Sequence, residues 1–281
     1  LPRDLADVLH YFLPEIGDAP DASASRIAPL GHDANNSNNA NEARSRTRAT
    51  TPAALPILGL PIGDRDVVRA ALAWNLAIET ARLGGSALLL APASDEGSPL
   101  WPEPGVGPLG TELVFCPATD LESLYRAARE LSLSRTKGIQ RGGIVFVRIP
   151  PTWLVTQARE TSAIDWLLLL SSANRRDLHE AHHLARTVLS SNPRVEIGVT
   201  IHGVTSIGEA RAAFEYLSRI SEEELGLCLA SYGLLVDDLH VYRAIAAQRP
   251  IGIAHPQAPA TRALMDVARM LSEDARSRLH G

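Results

Sequence analysis

The stretch from Leu55 to Asp95, LPILGLPIGDRDVVRAALAWNLAIETARLGGSALLLAPASD, restricts the possible folds more than any other. It reads as an apolar strand over Leu55–Leu60, a glycine-containing loop over Pro61–Val67, and then a helix. The helix carries apolar residues at helical spacing (Val68, Leu72, Leu76, Ala77, Leu83) and is closed by Gly84-Gly85. A second apolar strand, Ala87–Leu90, follows. A strand, a helix and a strand in about forty residues leave room for one connection, a crossover between parallel strands.

The rest of the chain repeats the alternation. Strands are expected at Thr111–Cys116, Gly142–Ile149, WLLLLSS from Trp166, Val195–Ile201 and Leu225–Ala230. Helices are expected at 120–133 (capped by Thr119 or Asp120), 174–189, 207–220 and 260–279, and 96–110 reads as a Gly/Pro-rich loop. Strands that are apolar throughout, rather than at alternate positions, are buried on both faces. The fold class is therefore α/β: a mostly parallel sheet flanked by helices on both faces. Right-handed crossovers bring the loops after the strands to one edge. Gly63–Ala70, Ala91–Asp95, Arg148–Thr152, Ser171–Arg176 and His202–Thr205 are expected to meet there.

Ahead of this domain, residues 1–16 form a short amphipathic helix with Leu5, Val8, Leu9 and Phe12 on one stripe. Residues 17–54 are rich in Ala, Ser, Asn, Asp and Arg and are expected to be a disordered linker. The domain boundaries are thus 1–16, 17–54 and 55–281. The stripe suits either docking on its own domain or binding a protein partner, and it nominates Leu5, Val8, Leu9 and Phe12 as partner-binding residues.

Composition excludes several classes. In 281 residues, 45% are hydrophobic, enough for a full core, and the net charge of −5 gives no basic footprint for nucleic acid. The two cysteines, Cys116 and Cys228, form no CxxC, so neither a disulfide framework nor a zinc knuckle is indicated. No run approaches the ~18–20 apolar residues that span a membrane, and no signal peptide is visible, so a cytoplasmic location is expected. The C-terminal SEDARSRLHG is too polar for a membrane-targeting tail.

Asn75-Leu76-Ala77 and Ala81-Arg82-Leu83-Gly84, set this far behind the loop, resemble the opening of the MinD/ParA family of P-loop ATPases. That family reads S-G-K-G-G-V-G-K-T, then N-L-A, then L-A-x-x-G. Further along, Gly233, Asp238, Val241, Ala244, Pro250, Pro256 and Ala260 match the family's closing pattern, and Gln248-Arg249-Pro250 is similar to the FlhG/FleN flagellar-regulator branch. The resemblance covers about 55–281 and implies a P-loop NTPase-like fold of the deviant Walker type. It also implies where a nucleotide site would lie: Gly63, Arg69 and Ala70 in the loop, Arg148 at the Walker B position, and His202 where the family places an adenine-binding Asn.

At those positions the chemistry has changed. The family's signature lysine falls on Asp64, its loop glycines on Arg65, Asp66 and Val68, its phosphate lysine on Arg69 and its magnesium-binding threonine on Ala70. The aspartates of the next strand become Ala91 and Ala93. A P-loop depends on small residues that let backbone N–H groups wrap phosphate, a Lys that neutralises it, and a hydroxyl on the metal. These changes imply a degenerate Walker A, no catalytic residues and no bound cofactor: a pseudo-ATPase scaffold acting through a protein partner in bacterial cell organisation (flagellum, pilus, secretion or polysaccharide machinery). Its state is expected to be a monomer or a nucleotide-independent dimer. The alternative is a divergent ATPase or GTPase holding ATP with Mg through Arg69. A third reading takes His179-Glu180-Ala181-His182-His183 as HExxH, with His179 and His183 on zinc and Glu180 as base, though no third ligand is nominated.

Overall fold

A computed structural model of the chain describes residues 3–4, 54–93, 102–135 and 142–280. The expected helix over 1–16 and linker over 17–54 therefore lie outside the described residues, apart from Arg3, Asp4 and Ala54, as does Asp95.

Strand β1 (Ile57–Pro61) leads through a five-residue loop into α1 (Val67–Arg82), which is followed by β2 (Ser86–Pro92). Next come a two-residue strand β3 (Gly105–Val106), β4 (Glu112–Cys116) and α2 (Leu121–Ser134). The second half runs β5 (Gly143–Ile149), α3 (Pro151–Thr156), β6 (Trp166–Ser172), α4 (Arg175–Ser191), β7 (Glu196–Val204) and α5 (Ile207–Leu225). It closes with β8 (Ala230–Val236), α6 (Leu239–Ala246), α7 (Ile251–Ala254) and α8 (Pro259–His280). The eight strands form one sheet in the order β3-β4-β2-β5-β1-β6-β7-β8. Every pairing is parallel except β3 on β4.

Helices α1, α6, α7 and α8 pack together, while α2 lies on β1, β2 and β5, and α4 and α5 lie on β6 and β7. The strands between them are sealed on both faces: all seven residues of β5 are buried, Arg148 among them. Local chemistry sets the helix starts. Asp66, Asp120, Asn174, Ser206 and Asp238 each accept a backbone N–H from the first turn of the helix that follows, which satisfies donors the helix cannot pair internally.

One strand sits elsewhere than the residues suggest. The expected strand Leu225–Ala230 is in fact the end of α5, a turn at Gly226 (φ 63°) and a connector, and the strand is Ala230–Val236. Leu227 and Leu229 are buried in the connector, so an apolar run there marks core contact rather than strand pairing. The loop expected at 96–110 holds β3 and a 3-10 turn at Pro108–Gly110.

Candidate functional site

The carboxyl ends of β1, β5, β6 and β7 meet at one edge. Ile62 follows β1 directly, and its N–H continues the ladder to the Ile149 carbonyl at 2.9 Å. The loop then turns, Asp66 N–H bonding to the Gly63 carbonyl at 3.1 Å. Gly63 has no positive φ, and a Cβ added there would meet no atom within 4 Å. In this conformation its smallness serves no close approach.

Two arginines organise the edge. Arg148, near the end of β5, is 3% exposed. Its Nη2 pairs with the Asp64 carboxylate, and its Nε donates to the Ile62 carbonyl at 3.3 Å. Burial works against its positive charge and holds the guanidinium below its usual range, and the Asp64 and Asp66 carboxylates offset only part of that. Arg69, in the first turn of α1, joins three further elements. Its guanidinium lies 3.2 Å from Asp66, 3.1 Å from Asp177 and 3.7 Å from Glu180. Its Nε also lies 3.4 Å from His202 Nε2, at the end of β7.

The environment fixes the charge states. Burial, with the adjacent Arg69 charge, pushes the His202 imidazole down to about 4, so at neutral pH it is uncharged and accepts from Arg69. Burial also opposes the Asp177 charge, but the Ser172 hydroxyl at 2.8 Å and the Arg69 guanidinium outweigh it and hold the carboxyl below its usual range. The Asp66 carboxylate accepts the Arg69 N–H at 3.0 Å, so an internal anion covers the positive end of α1.

The structure thus brings together Arg69, Arg148 and His202 as placed from the residues, with Ala70 buried one residue beyond Arg69. Ala91 is buried at the end of β2. Asp177 was not foreseen, and Glu180, expected as the base of an HExxH site, instead faces Arg69. A signal for Asp177 was available: Asn174 is a good N-cap after a buried strand, and Asp177, three residues on, falls in the first turn at the same edge. The HExxH residues are otherwise engaged. His179 Nε2 lies 3.2 Å from the Tyr216 hydroxyl, Glu180 faces Arg69, and His183 is exposed. Among the described residues, no group of three or more His, Cys, Asp or Glu side chains is placed to hold a metal ion.

No protein-family description matches the chain, and no curated protein matches its sequence. Solved structures do. MinD in the MinC:MinD cell division complex of Aquifex aeolicus is 17% identical with a TM-score of 0.57, over 77% of this chain and 95% of that one. MinD of Pyrococcus horikoshii complexed with Mg-ADP is 9% identical with a TM-score of 0.55, over 78% and 97%. A ParA family ATPase from Chlorobium tepidum is 11% identical with a TM-score of 0.53, over 78% and 99%.

The Mg-ADP complex corrects one expectation. The residues alone argue for no cofactor, yet a structure of this same fold holds a magnesium nucleotide, so the substitutions in the loop do not by themselves remove nucleotide from consideration. The side-chain arrangement seen here does not fit a magnesium-bound triphosphate. Four carboxylates surround two guanidiniums, both guanidiniums are engaged, and Ala70 offers no hydroxyl. Phosphate could enter only as these pairs open. At this level of identity the likeness establishes architecture, and that architecture is the P-loop NTPase fold of the MinD and ParA ATPases.

Proposed function

We propose that this chain is a MinD/ParA-like scaffold or regulatory protein that acts through protein–protein contacts in the spatial organisation of a bacterial cell, without turning over ATP. The observation that carries the reading is Arg148. It stands where the family's metal-organising carboxylate would be, it is buried, and it is tied into the β1–α1 loop through Asp64. A cation locked at that point cannot organise magnesium, and catalysis of phosphoryl transfer rests largely on positioning and charge stabilisation by such groups. The test is phosphate release from ATP and magnesium by the full chain. Release at the background rate is expected; turnover at P-loop ATPase rates, abolished by Arg69→Ala, overturns the proposal.

A second reading, a divergent ATPase or GTPase, is favoured by the Mg-ADP complex of the Pyrococcus relative. Calorimetry of the full chain with ATP and magnesium addresses binding separately from turnover.

For the partner we assign the stripe Leu5, Val8, Leu9 and Phe12, acting as a helix laid in a partner's groove. The MinC:MinD complex supports this in kind, since a protein of this fold there works by binding another. We assign the protein to the cytoplasm and expect no nucleic acid partner. No helix among the described residues is long and apolar enough to cross a membrane. Leu9→Asp with Phe12→Asp is expected to abolish partner capture while leaving the melting temperature of the full chain unchanged. Lost stability with capture intact overturns the assignment. Association is expected to be independent of nucleotide, and light scattering with and without ATP-Mg measures it.

A further inference from the structure

Strand β8 is the last of the sheet, so one of its sides has no neighbouring strand. Such a side presents N–H and C=O groups that need partners. One donor near its amino end is taken by the chain's own beginning: the Ser231 N–H donates to the Arg3 carbonyl at 2.8 Å. The Arg3 side chain is held at the same place by two further groups. Its Nη2 pairs with the Asp274 carboxylate of α8, whose other oxygen accepts from the Tyr232 hydroxyl. The guanidinium also lies 5.5 Å from the centroid of the Tyr232 ring, within cation–π range. Packing fixes that ring: it lies over Gly198 of β7, where an added Cβ would come within 2.1 Å of it.

The same side of β8 suits a short segment and not a long strand. Gly233 has φ 84°, and its N–H turns back to the Ser231 hydroxyl at 3.2 Å. The line of outward donors is therefore broken two residues after Ser231. A strand from a second copy would find no continuous ladder there, whereas one or two residues of this chain do.

We infer that the amino end of β8, with Tyr232 and Asp274, is a docking site for the chain's own amino-terminal segment, and that Arg3 is its anchor. Ser231 reads the backbone carbonyl, as in strand addition, while Asp274 and the Tyr232 ring read the planar guanidinium. A covalently attached end is present at up to about millimolar effective concentration, so contacts of about millimolar strength suffice to hold it and a competitor can displace it. Leu5 follows Arg3 by two residues, so its Cα lies within about 7 Å of that of Arg3. A partner groove that closes over Leu5 therefore competes with β8 for this end of the chain, and the anchor acts as a latch on the stripe. The latch rests on the partner role proposed above; the docking does not.

Amide hydrogen exchange of the full chain, resolved at Ser231, tests the docking without any partner. Ser231 is expected to be protected, and Arg3→Gln to speed its exchange tenfold or more. Asp274→Asn does the same, and Arg3→Lys, which keeps the charge but loses the planar fork, falls between. Leu168 and Leu169 of β6, paired with β7 in the sheet interior, keep the parent's rates in all three variants. Leu9→Asp with Phe12→Asp leaves Ser231 protected, so a failed stripe and a failed anchor are told apart. Fast exchange at Ser231 in the parent overturns the proposal. So does protection that survives Arg3→Gln, or a loss shared equally by Leu168 and Leu169.

Discussion

At the carboxyl edge of the sheet the β1–α1 loop, α1, the end of β5 and α4 bring charged side chains into contact with one another, and these satisfy each other. Towards the amino edge the strands begin among tightly fitted groups, and two polar atoms are buried there without a partner. Asp64, Asp66, Asp177 and Glu180 answer Arg69 and Arg148; Tyr125 Oη and Arg278 Nε answer nothing described. The difference teaches that the carboxyl edge is internally neutralised in this chain, while the amino edge is held by close backbone fit. If that is right, backbone fit should dominate the amino edge and electrostatics the carboxyl edge.

The largest effect is expected at the amino edge. Gly143 opens β5, and a Cβ there would fall on the Ser86 backbone carbonyl of β2. Neither backbone can give without breaking the β2–β5 ladder. Gly143→Ala should therefore cost about 3 kcal/mol, at the upper end for overpacking, read as a lower urea midpoint at constant m-value. A cost below about 0.5 kcal/mol would show that the amino edge is looser than described.

The carboxyl edge should respond to pH through His202. Its folded value, about 4, lies below its unfolded value near 6.5. Between those two the unfolded chain binds a proton that the native chain does not, so stability is full above about 6.5 and falls as pH falls towards 4. The contribution is on the order of 2 kcal/mol after allowance for partial exposure. Asp177, also held low, adds loss in the same direction at lower pH. His202→Gln should flatten the stability profile between pH 6.5 and 4. A profile that keeps its slope assigns the acid sensitivity to other groups.

A smaller and more diagnostic contrast concerns the Arg148–Asp64 pair. Asp64→Asn leaves a buried guanidinium with half its compensation, whereas Arg148→Met removes the buried charge and leaves Asp64, whose side chain is 45% exposed, to water. Breaking a buried pair from one side costs ~3–5 kcal/mol, reduced here to about 1–2 by that exposure, while apolar replacement is often near neutral. Asp64→Asn should thus be the more damaging of the two in chemical denaturation. The reverse order would mean that Arg148 contributes by packing, not by its pair.

How much of this was legible follows the same division. GIVFVRI and WLLLLSS announce strands buried on both faces, and both are strands. Of the two caps offered for α2, the structure selects Asp120, which accepts the Ser123 N–H at 2.7 Å. Trp166 and Trp74, on an apolar strand and an apolar helix, are buried. These are local signals, decided by period and capping. The site was legible only in part, because its contacts join residues far apart in the chain. No spacing rule says which of Arg65, Arg69 and Arg148 pairs with Asp64 or Asp66. Asp177 and Glu180 reach Arg69 from more than 100 positions away. β8 was misplaced for the opposite reason: two apolar runs compete there, and the left-handed turn at Gly226 decides which one pairs with β7.

The smallest effect, and the one that most sharpens the comparison, is expected at Gly63. In a phosphate-wrapping loop a glycine is needed because the backbone must approach its ligand without a Cβ between them. Here the position is relaxed: φ is not positive, and an added Cβ meets nothing within 4 Å. The bond that shapes the turn, Asp66 N–H to the Gly63 carbonyl, uses an atom that alanine also has. Gly63→Ala should therefore lie within about 0.5 kcal/mol of the parent, or stabilise by ~0.4–1 kcal/mol through the unfolded chain's lost freedom. Set against Gly143→Ala, a ratio of effects of several-fold is expected from the same chemical change at opposite edges. A destabilisation of 2 kcal/mol or more at Gly63 would reveal a neighbour pressing on the loop, and the carboxyl edge could no longer be described as satisfied by its own arginine–carboxylate pairs.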